Sequence, residues 1–180
     1  FADNTPFGNP AELMLAPDHY IYRMLYSQGL RLEDLGVPSR DGGPDVDPRD
    51  AWRLFATNYH LFRGTPSRLW LDHTFATVFG IDVRLGADTA DLYYETIDAA
   101  LKTDAFRPRA LFERFNIELI ATTEGATDSL EHHLALQASG WKGRVVSAYR
   151  PDAVVDPEHE AFQSSLDLFA DLTGEDTRSW

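Results

Sequence analysis

The segment 115–150 limits the possible folds most strongly, because there the hydrophobic pattern of the chain changes from helical to strand-like. A mostly apolar run over 117–121 is followed by a polar cluster, and a second apolar run begins at Val145. Between the runs, Asp128 is placed to cap a helix that continues to about Ser139. Two short apolar strands joined by one helix predict a parallel β-α-β unit whose strands are buried on both faces.

In units of this kind, functional side chains lie beyond the carboxyl ends of the strands. A polar cluster of Thr122, Thr123 and Glu124 follows the first predicted strand, and Arg150 and Asp152 follow the second. A planar guanidinium at the end of a buried strand suits two-pronged recognition of a carboxylate. Arg150 is therefore a candidate binding residue, and a surface ion pair is the open alternative.

A capping side chain followed directly by proline predicts the start of a helix. This pattern occurs at Asp47-Pro48, Thr65-Pro66 and Asp156-Pro157. Together with the hydrophobic periodicity, these signals predict helices over 10–16, 18–29, 48–62, 66–79, 89–102, 108–114 and 157–173. The glycine-rich stretch 37–46 predicts a mobile loop. Apolar side chains at helical spacing predict a core that includes Trp52, Phe55, Tyr59, Phe62, Leu69, Trp70, Phe75, Phe79, Leu92, Tyr93, Ile97 and Leu101.

The predicted elements divide the chain into a helical region, 1–114, and a β-α-β-α segment, 115–180. Two parallel strands cannot close a barrel, and a complete (β/α)8 barrel takes about 250 residues. We therefore expect the remaining strands to lie elsewhere. Because the sequence opens on Phe1-Ala2-Asp3 without an initiator methionine, we expect it to be a fragment of a longer protein.

The composition excludes several classes of function. A net charge of -13 and a pI near 4.7 argue against a nucleic-acid or anionic-membrane surface. The absence of cysteine removes disulfides, thiolate nucleophiles and thiolate metal ligands, which fits a cytoplasmic protein. No apolar run is long enough to span a bilayer.

The histidines do not show the spacing of a metal site. His132 and His133 are adjacent, so on a helix they point about 100° apart and cannot bind one ion together. His60, His73 and His159 stand alone on predicted helices, where structural or surface roles are the ordinary interpretation. The sequence also lacks a Gly-x-Ser-x-Gly nucleophile motif and a phosphate-binding glycine loop.

Asp18-His19-Tyr20 places an acceptor, an imidazole and a phenol at a helix start, where backbone N–H groups favour an anionic ligand. A uronate or a phosphate could bind there. The open alternative is that Asp18 only caps the helix and Tyr20 belongs to the core.

Several strings together resemble the uronate (glucuronate) isomerases, in that family's order and spacing and over nearly the whole chain. They are PDHYIYRMLYSQG at 17–29, FRGTP at 62–66, VFGI at 78–81, FNIELIATT at 115–123, DSLEHH at 128–133 and YRPD at 149–152. The resemblance implies a member of the amidohydrolase superfamily, an α/β protein with a (β/α)8 barrel and a large helical insertion after its first strand. Residues 1–114 would then form most of the insertion, and the two predicted strands would be barrel strands two and three.

The resemblance implies reversible isomerisation of D-glucuronate to D-fructuronate and of D-galacturonate to D-tagaturonate. That reaction moves a proton between C2 and C1 through an enediol, and it needs a base, an acid and stabilisation of the developing oxyanion. By position, Tyr20 resembles the family's catalytic phenol. His19 and Arg150 resemble its substrate-binding histidine and arginine.

The resemblance also implies a divalent metal, commonly zinc, held by a His-x-His pair and an aspartate that this sequence does not contain. The family's usual Thr-Thr-Asp-Asp-Pro is here Thr122-Thr-Glu-Gly-Ala126, so the resemblance gives Glu124 no defined role. We expect a fragment that is inactive alone, derived from a homo-oligomeric enzyme that acts on a uronate sugar. A non-catalytic binding or assembly module and a metal-dependent hydrolase are the alternatives.

Overall fold

A computed structural model describes residues 2–37 and 46–178, which form two compact units. The helical unit is Thr5–Ala110, and the mixed unit combines residues 2–4 with 111–178. Of the predicted loop 37–46, residues 38–45 lie outside the described residues. Within the described ranges, no helix is both long and apolar enough to cross a bilayer.

The helical unit is built from α-helices joined by short 3₁₀ turns. The helices are α1 (Pro10–Met14), α2 (His19–Ser27), α3 (Pro48–Thr57), α4 (Pro66–Thr77) and α5 (Ala90–Leu101), and α6 (Pro108–Arg114) continues into the mixed unit. The 3₁₀ turns are Glu33–Leu35, Tyr59–Phe62 and Asp104–Phe106.

Side-chain caps fix where these helices begin. The carboxylate of Asp47 accepts a hydrogen bond from the Arg49 N–H at 2.8 Å, and the Thr65 hydroxyl accepts one from the Arg68 N–H at 3.2 Å. Each cap is followed by proline at the first helical position, where the missing N–H costs nothing. The starts predicted at Pro48 and Pro66 are therefore confirmed.

The core of the helical unit is an aromatic cluster formed by α3 with the elements around it. Trp52 and Phe55 are fully buried, and so are Tyr59 and Phe62 in the turn that follows α3, as the sequence predicts. The rings meet mostly edge to face, with centroids 5.5 Å apart for Trp52 and Phe55. The indole N–H of Trp52 also donates to the Ala90 carbonyl at 3.0 Å and so ties α3 to the start of α5.

The prediction for α4 is wrong at two positions. Leu69 and Trp70 are 69% and 66% exposed, whereas Phe75 is buried. The packed side of α4 carries Leu71, Phe75 and the following Phe79 at intervals of four residues. Leu69 and Trp70 project elsewhere because each residue turns a helix by about 100°. Leu92 on α5 is likewise 52% exposed, although it was expected in the core.

The mixed unit contains one parallel strand pair in its described part. Its elements after α6 are β1 (Ile120–Gly125), α7 (Glu131–Ala138), β2 (Val145–Arg150), α8 (Asp152–Val155) and α9 (Phe162–Thr173). The register pairs Ile120 with Val145 and Gly125 with Arg150. The parallel β-α-β unit expected from the sequence is therefore present.

The details of this unit correct the sequence interpretation. β1 includes Thr122, Thr123 and Glu124 rather than ending before them. The strands are not buried on both faces as expected, because β1 alternates between partly buried and exposed residues and β2 is exposed after its first residue. Asp128 does not cap α7, because its carboxylate accepts a hydrogen bond from the Gly125 N–H at 2.7 Å and closes the turn after β1. The helix therefore begins three residues later, at Glu131.

The start predicted at Asp156-Pro157 is also wrong. The Asp156 carboxylate accepts a hydrogen bond from the Glu158 N–H at 3.0 Å, but the chain then makes a turn, and α9 begins only at Phe162. A capping contact satisfies one local N–H group and does not by itself propagate a helix.

The role of Trp52 can be tested by chemical unfolding followed by circular dichroism. Trp52→Phe leaves the Ala90 carbonyl without its buried donor and is expected to lower the free energy of unfolding by about 1–3 kcal/mol. Trp70→Phe is the matched control, because Trp70 is exposed, and we expect a change within ~0.5 kcal/mol. Equal effects of the two substitutions would contradict this account of the core.

Candidate functional site

The start of α2 presents His19 and Tyr20 to solvent. Asp18 caps the helix, because its carboxylate accepts a hydrogen bond from the Tyr20 N–H at 2.9 Å. Ile21 and Leu25 are fully buried on the opposite side of the helix and fix its orientation. Tyr20 is 63% exposed, so the alternative in which it belongs to the core is wrong. The rings of His19 and Tyr20 lie with centroids 4.2 Å apart.

Tyr20 lines a cavity of about 580 Å³ between α2 and the start of α4, together with Arg23 and Trp70. Apolar ring faces can pack against the C–H groups of a sugar, and a guanidinium can bind a carboxylate. The side chain of Arg23 makes no hydrogen bond or ion pair with any other described residue of the chain. The exposed Trp70 that the core prediction misplaced therefore belongs to the lining of this cavity.

Arg150, the last residue of β2, forms a two-pronged ion pair with Asp152. Its Nε and Nη2 atoms donate to the two carboxylate oxygens at 2.8 and 3.2 Å. The pairing raises the pKa of Arg150 and lowers that of Asp152. Both side chains are more than half exposed, so the surface ion pair considered as an alternative is present. The pair also holds the guanidinium plane in a fixed orientation at the end of the strand.

The polar cluster of β1 contacts α7 through His133. The Thr122 hydroxyl and the Nε2 atom of His133 are 3.0 Å apart, and the Glu124 carboxylate lies 3.8 Å from the same nitrogen. These side chains line a cavity of about 660 Å³ with Asp128 and Leu136. His133 was not among the predicted site residues, because the adjacent histidines are notable in the sequence only for being unable to bind one metal together. The signal for this contact is tertiary, because β1 and α7 meet only in the folded unit.

Glu124 is held as a carboxylate. The hydroxyls of Thr122 and Ser147 lower the pKa of Glu124, and His133 contributes in the same direction. The side chain is 17% exposed, and its Oε2 atom is buried without a hydrogen-bond partner among the described residues. A shielded carboxylate of this kind can accept a proton or a hydrogen bond from a group that enters the cavity.

The strand alternation separates the two sets of polar residues. Thr122 and Glu124 are two residues apart and share the face of the sheet that contacts α7. Thr123 occupies the other face, and so does Arg150, whose register partner Gly125 has the same parity as Thr123. These residues were expected together at one edge of the sheet, but they belong to its two faces.

The three predicted site residues belong to different units. His19 and Tyr20 lie in the helical unit and adjoin each other, whereas Arg150 lies in the mixed unit. Among the residues that the structure describes, no three His, Asp or Glu side chains come together as potential metal ligands. The described residues do not fit the metal that the family resemblance implies.

The glucuronate isomerase family model matches residues 1–180. The chain therefore belongs to the glucuronate isomerase family. Uronate isomerases from Phenylobacterium zucineum and Xanthomonas campestris pv. campestris are 63% and 62% identical to it, over all of this chain and 38% of each relative. The chain thus spans 38% of the length of these curated relatives.

Solved structures agree with this assignment. The crystal structure of glucuronate isomerase from Caulobacter crescentus superposes with a TM-score of 0.92 at 57% identity, covering 99% of this chain and 37% of that one. The uronate isomerase from Thermotoga maritima has a TM-score of 0.85 at 22% identity, covering 98% of this chain and 37% of that one, and supports the fold alone.

The environment of Glu124 predicts a pH dependence of stability. Because folding lowers its pKa below the usual 4.5, ionised Glu124 stabilises the folded state fully above pH 4.5. That stabilisation is lost as the pH falls through the lower folded pKa. We expect Glu124→Gln to be less stable than the wild type at pH 7, with a difference that shrinks below pH 4.5.

Urea unfolding across this pH range measures the effect. The control is Glu118→Gln, because Glu118 is exposed and its side chain makes no hydrogen bond or ion pair with other described residues. We expect this control to match the wild type at pH 7 within ~0.5 kcal/mol. A stability difference for Glu124→Gln that stays constant down to pH 3 would contradict the assigned charge state.

Proposed function

We propose that this chain is part of a uronate isomerase that interconverts D-glucuronate with D-fructuronate and D-galacturonate with D-tagaturonate. The proposal is supported mainly by the family match, which extends over residues 1–180 and so includes His19, Tyr20 and Arg150. It is also supported by the exposure of Tyr20 beside a cavity large enough for a sugar acid.

The proposed architecture is a (β/α)8 barrel in which β1 and β2 are strands two and three. Residues 1–114 form a helical insertion and 115–180 a barrel segment. In such barrels the helices pack on the outside of the strands. The sheet face that contacts α7 is then the outer face, and the face that carries Arg150 and Thr123 points inward, where substrate binds. Thr122, Glu124 and His133 serve to join strand and helix.

Tyr20 is the proposed catalytic phenol. Isomerisation moves a proton between C2 and C1, and negative charge develops on the sugar oxygens in the enediol intermediate. A solvent-accessible phenol at a helix start can donate a hydrogen bond to such an oxygen as its charge grows. His19 lies against the Tyr20 ring and contributes a second polar group for the substrate.

Arg150 is the proposed carboxylate-binding residue. The Nε and Nη2 atoms of Arg150 donate to Asp152, whereas Nη1 makes no hydrogen bond to other described residues. The Nη1 group can bind a uronate carboxylate, while the ion pair keeps the guanidinium in place. The two interpretations of Arg150, a surface ion pair and a carboxylate-binding residue, are therefore compatible, because the ion pair with Asp152 would hold the guanidinium in place for the substrate.

The remaining features of the enzyme are proposed from the family alone. The proposed cofactor is a divalent metal ion, most commonly zinc in this family. Its ligands would be residues other than those that the structure describes. The enzyme would act in the cytoplasm as a homo-oligomer on small uronate sugars. Neither nucleic acid nor a membrane surface is a proposed partner, given the charge of -13.

The catalytic role of Tyr20 can be tested in a chimera. In it, the 180 residues replace the matching 37% of the Caulobacter crescentus glucuronate isomerase. We expect the chimera to isomerise D-glucuronate, and we expect Tyr20→Phe to lower its kcat about a hundredfold, as for loss of one acid–base group. A coupled assay of D-fructuronate formation measures the rate.

Tyr26→Phe is the matched control, since Tyr26 lies on the same helix and is also 63% exposed. We expect it to leave kcat unchanged. Unchanged turnover in Tyr20→Phe, with unchanged stability, would favour a non-catalytic binding or assembly role for this region. A chimera that does not isomerise uronates but hydrolyses other substrates would favour the hydrolase alternative.

The 180-residue chain alone should not isomerise glucuronate, because it carries two of the barrel strands proposed here and no metal cluster in its described part. The measurement is the same assay on the purified chain with added zinc, with the chimera as positive control. Rapid turnover by the isolated chain would show that these residues suffice for catalysis.

A further inference from the structure

A second cavity in the helical unit is lined by basic side chains. It has a volume of about 320 Å³ and lies between the 3₁₀ turn after α3, the start of α4 and the segment that precedes α5. Its lining includes His60, Arg63, Arg68 and Arg84, with Asp72 as the acidic member. Neither Tyr20 nor Arg23 lines it, so it is separate from the cavity assigned to the sugar acid.

Arg68 is fixed in this cavity by three contacts. Its Nε donates to Asp72 at 2.7 Å, its Nη1 donates to the Tyr59 carbonyl at 3.2 Å, and its guanidinium stacks on the Tyr59 ring at 4.1 Å. The side chain is 20% exposed. Its Nη2 makes no hydrogen bond to other residues in the described ranges. The guanidinium is therefore fixed in position and still has a donor group available for a ligand.

Asp72 does not neutralise the rest of the lining. Its carboxylate binds Arg68 and also accepts a hydrogen bond from the Tyr59 hydroxyl at 2.9 Å. Burial, followed by this contact, raises the pKa of Tyr59, so that phenol stays protonated as a donor to Asp72. Three guanidinium groups and one carboxylate leave the cavity with a net charge of about +2 even when His60 is neutral.

The side chains of Arg63 and Arg84 form no ion pair with another described residue. Neither side chain makes a hydrogen bond to a described residue either. Their backbones are nevertheless held: the Arg63 N–H donates to the His60 carbonyl at 3.3 Å, and the Arg84 carbonyl accepts from the Thr89 hydroxyl at 2.8 Å. Both side chains are solvent-exposed, so water screens the repulsion between them, and an anion that contacted both would gain from two positive charges.

The backbone supplies a further donor. Gly64 lines the same cavity, and its N–H group makes no hydrogen bond to any described residue. Its φ of 79° lies in the left-handed region that side chains disfavour, and the space where a Cβ would stand is empty to 4 Å. A glycine here keeps the backbone N–H accessible next to Arg63, and backbone N–H groups can contribute to anion binding.

We infer that this cavity binds the phosphate group of a small phosphorylated metabolite. A phosphate dianion matches the charge of the lining, and arginine forks match its oxygens better than any other side chain. The volume exceeds that of a phosphate ion, so the cavity accommodates part of the attached molecule. Because it lies apart from the sugar-acid cavity, the bound molecule is a ligand other than the uronate substrate.

Titration calorimetry on the 180-residue chain tests this inference, with inorganic phosphate as the first probe and ionic strength held constant. We expect saturable binding at one site, and glucose 6-phosphate should bind at least as tightly. Arg63→Ala and Arg84→Ala should each weaken binding about tenfold through loss of a charged hydrogen bond. Arg31→Ala is the matched control, because it removes an exposed arginine of the same unit that pairs with Asp34, and it should bind like the wild type.

Absence of saturable binding by the wild type would overturn the site, and so would equal binding by an Arg63→Ala/Arg84→Ala double variant. Binding of D-glucuronate as tight as that of phosphate would overturn the assignment to a phosphate group. Circular dichroism confirms that each variant is folded, and Arg63→Lys and Arg84→Lys, which keep the charge, should bind with intermediate affinity. None of these outcomes depends on isomerase activity, so the proposed function and this inference can fail separately.

Discussion

The hydrogen bond from the Trp52 indole to the Ala90 carbonyl is the contact on which the helical unit depends. It satisfies a buried donor and joins α3 to the first residue of α5, while the aromatic cluster around Trp52 fills the space between these helices. The same core receives Ile21 and Leu25 from α2. Because these two residues fix one side of α2, the start of that helix turns Tyr20 outward. The orientation of the candidate catalytic group is thus a consequence of core packing.

The sheet of the mixed unit obeys a different constraint, which is the two-residue period of its strands. Thr122 and Glu124 contact His133 on one face of the sheet. Two of the polar residues that the sequence suggested as functional therefore have a structural role, because they join β1 to α7. The opposite face receives Arg150. A guanidinium held by Asp152 on the face away from the helix is well placed to contact a ligand, whereas a carboxylate turned toward the helix is better explained by packing.

Local chemistry could be predicted from the sequence, and tertiary contacts could not. The helices at Pro48 and Pro66 begin where a cap and a proline coincide. The same signal fails at Pro157, because Asp156 closes a turn, and at Asp128, because its carboxylate is engaged by the Gly125 N–H. Hydrophobicity alone placed Trp70 in the core, but the angular position of the residue on α4 exposes it. His133 could not be found, since its partners lie eleven and nine residues away on β1.

Charge pairing separates structural from functional arginines in this acidic chain. In the described part of the helical unit, Arg49 and Arg53 share Asp91, and other arginines pair with carboxylates three or four residues away. Such exposed pairs add little stability, but they are easily formed when acidic residues outnumber basic ones 29 to 16. Within this unit, an arginine whose side chain stays unpaired against this excess is therefore informative. Arg23, Arg63 and Arg84 are of this kind, and each lines a cavity, Arg23 beside Tyr20 and the other two around Gly64. These unpaired guanidinium groups thus indicate two cavities in which an anion would find a positively charged partner.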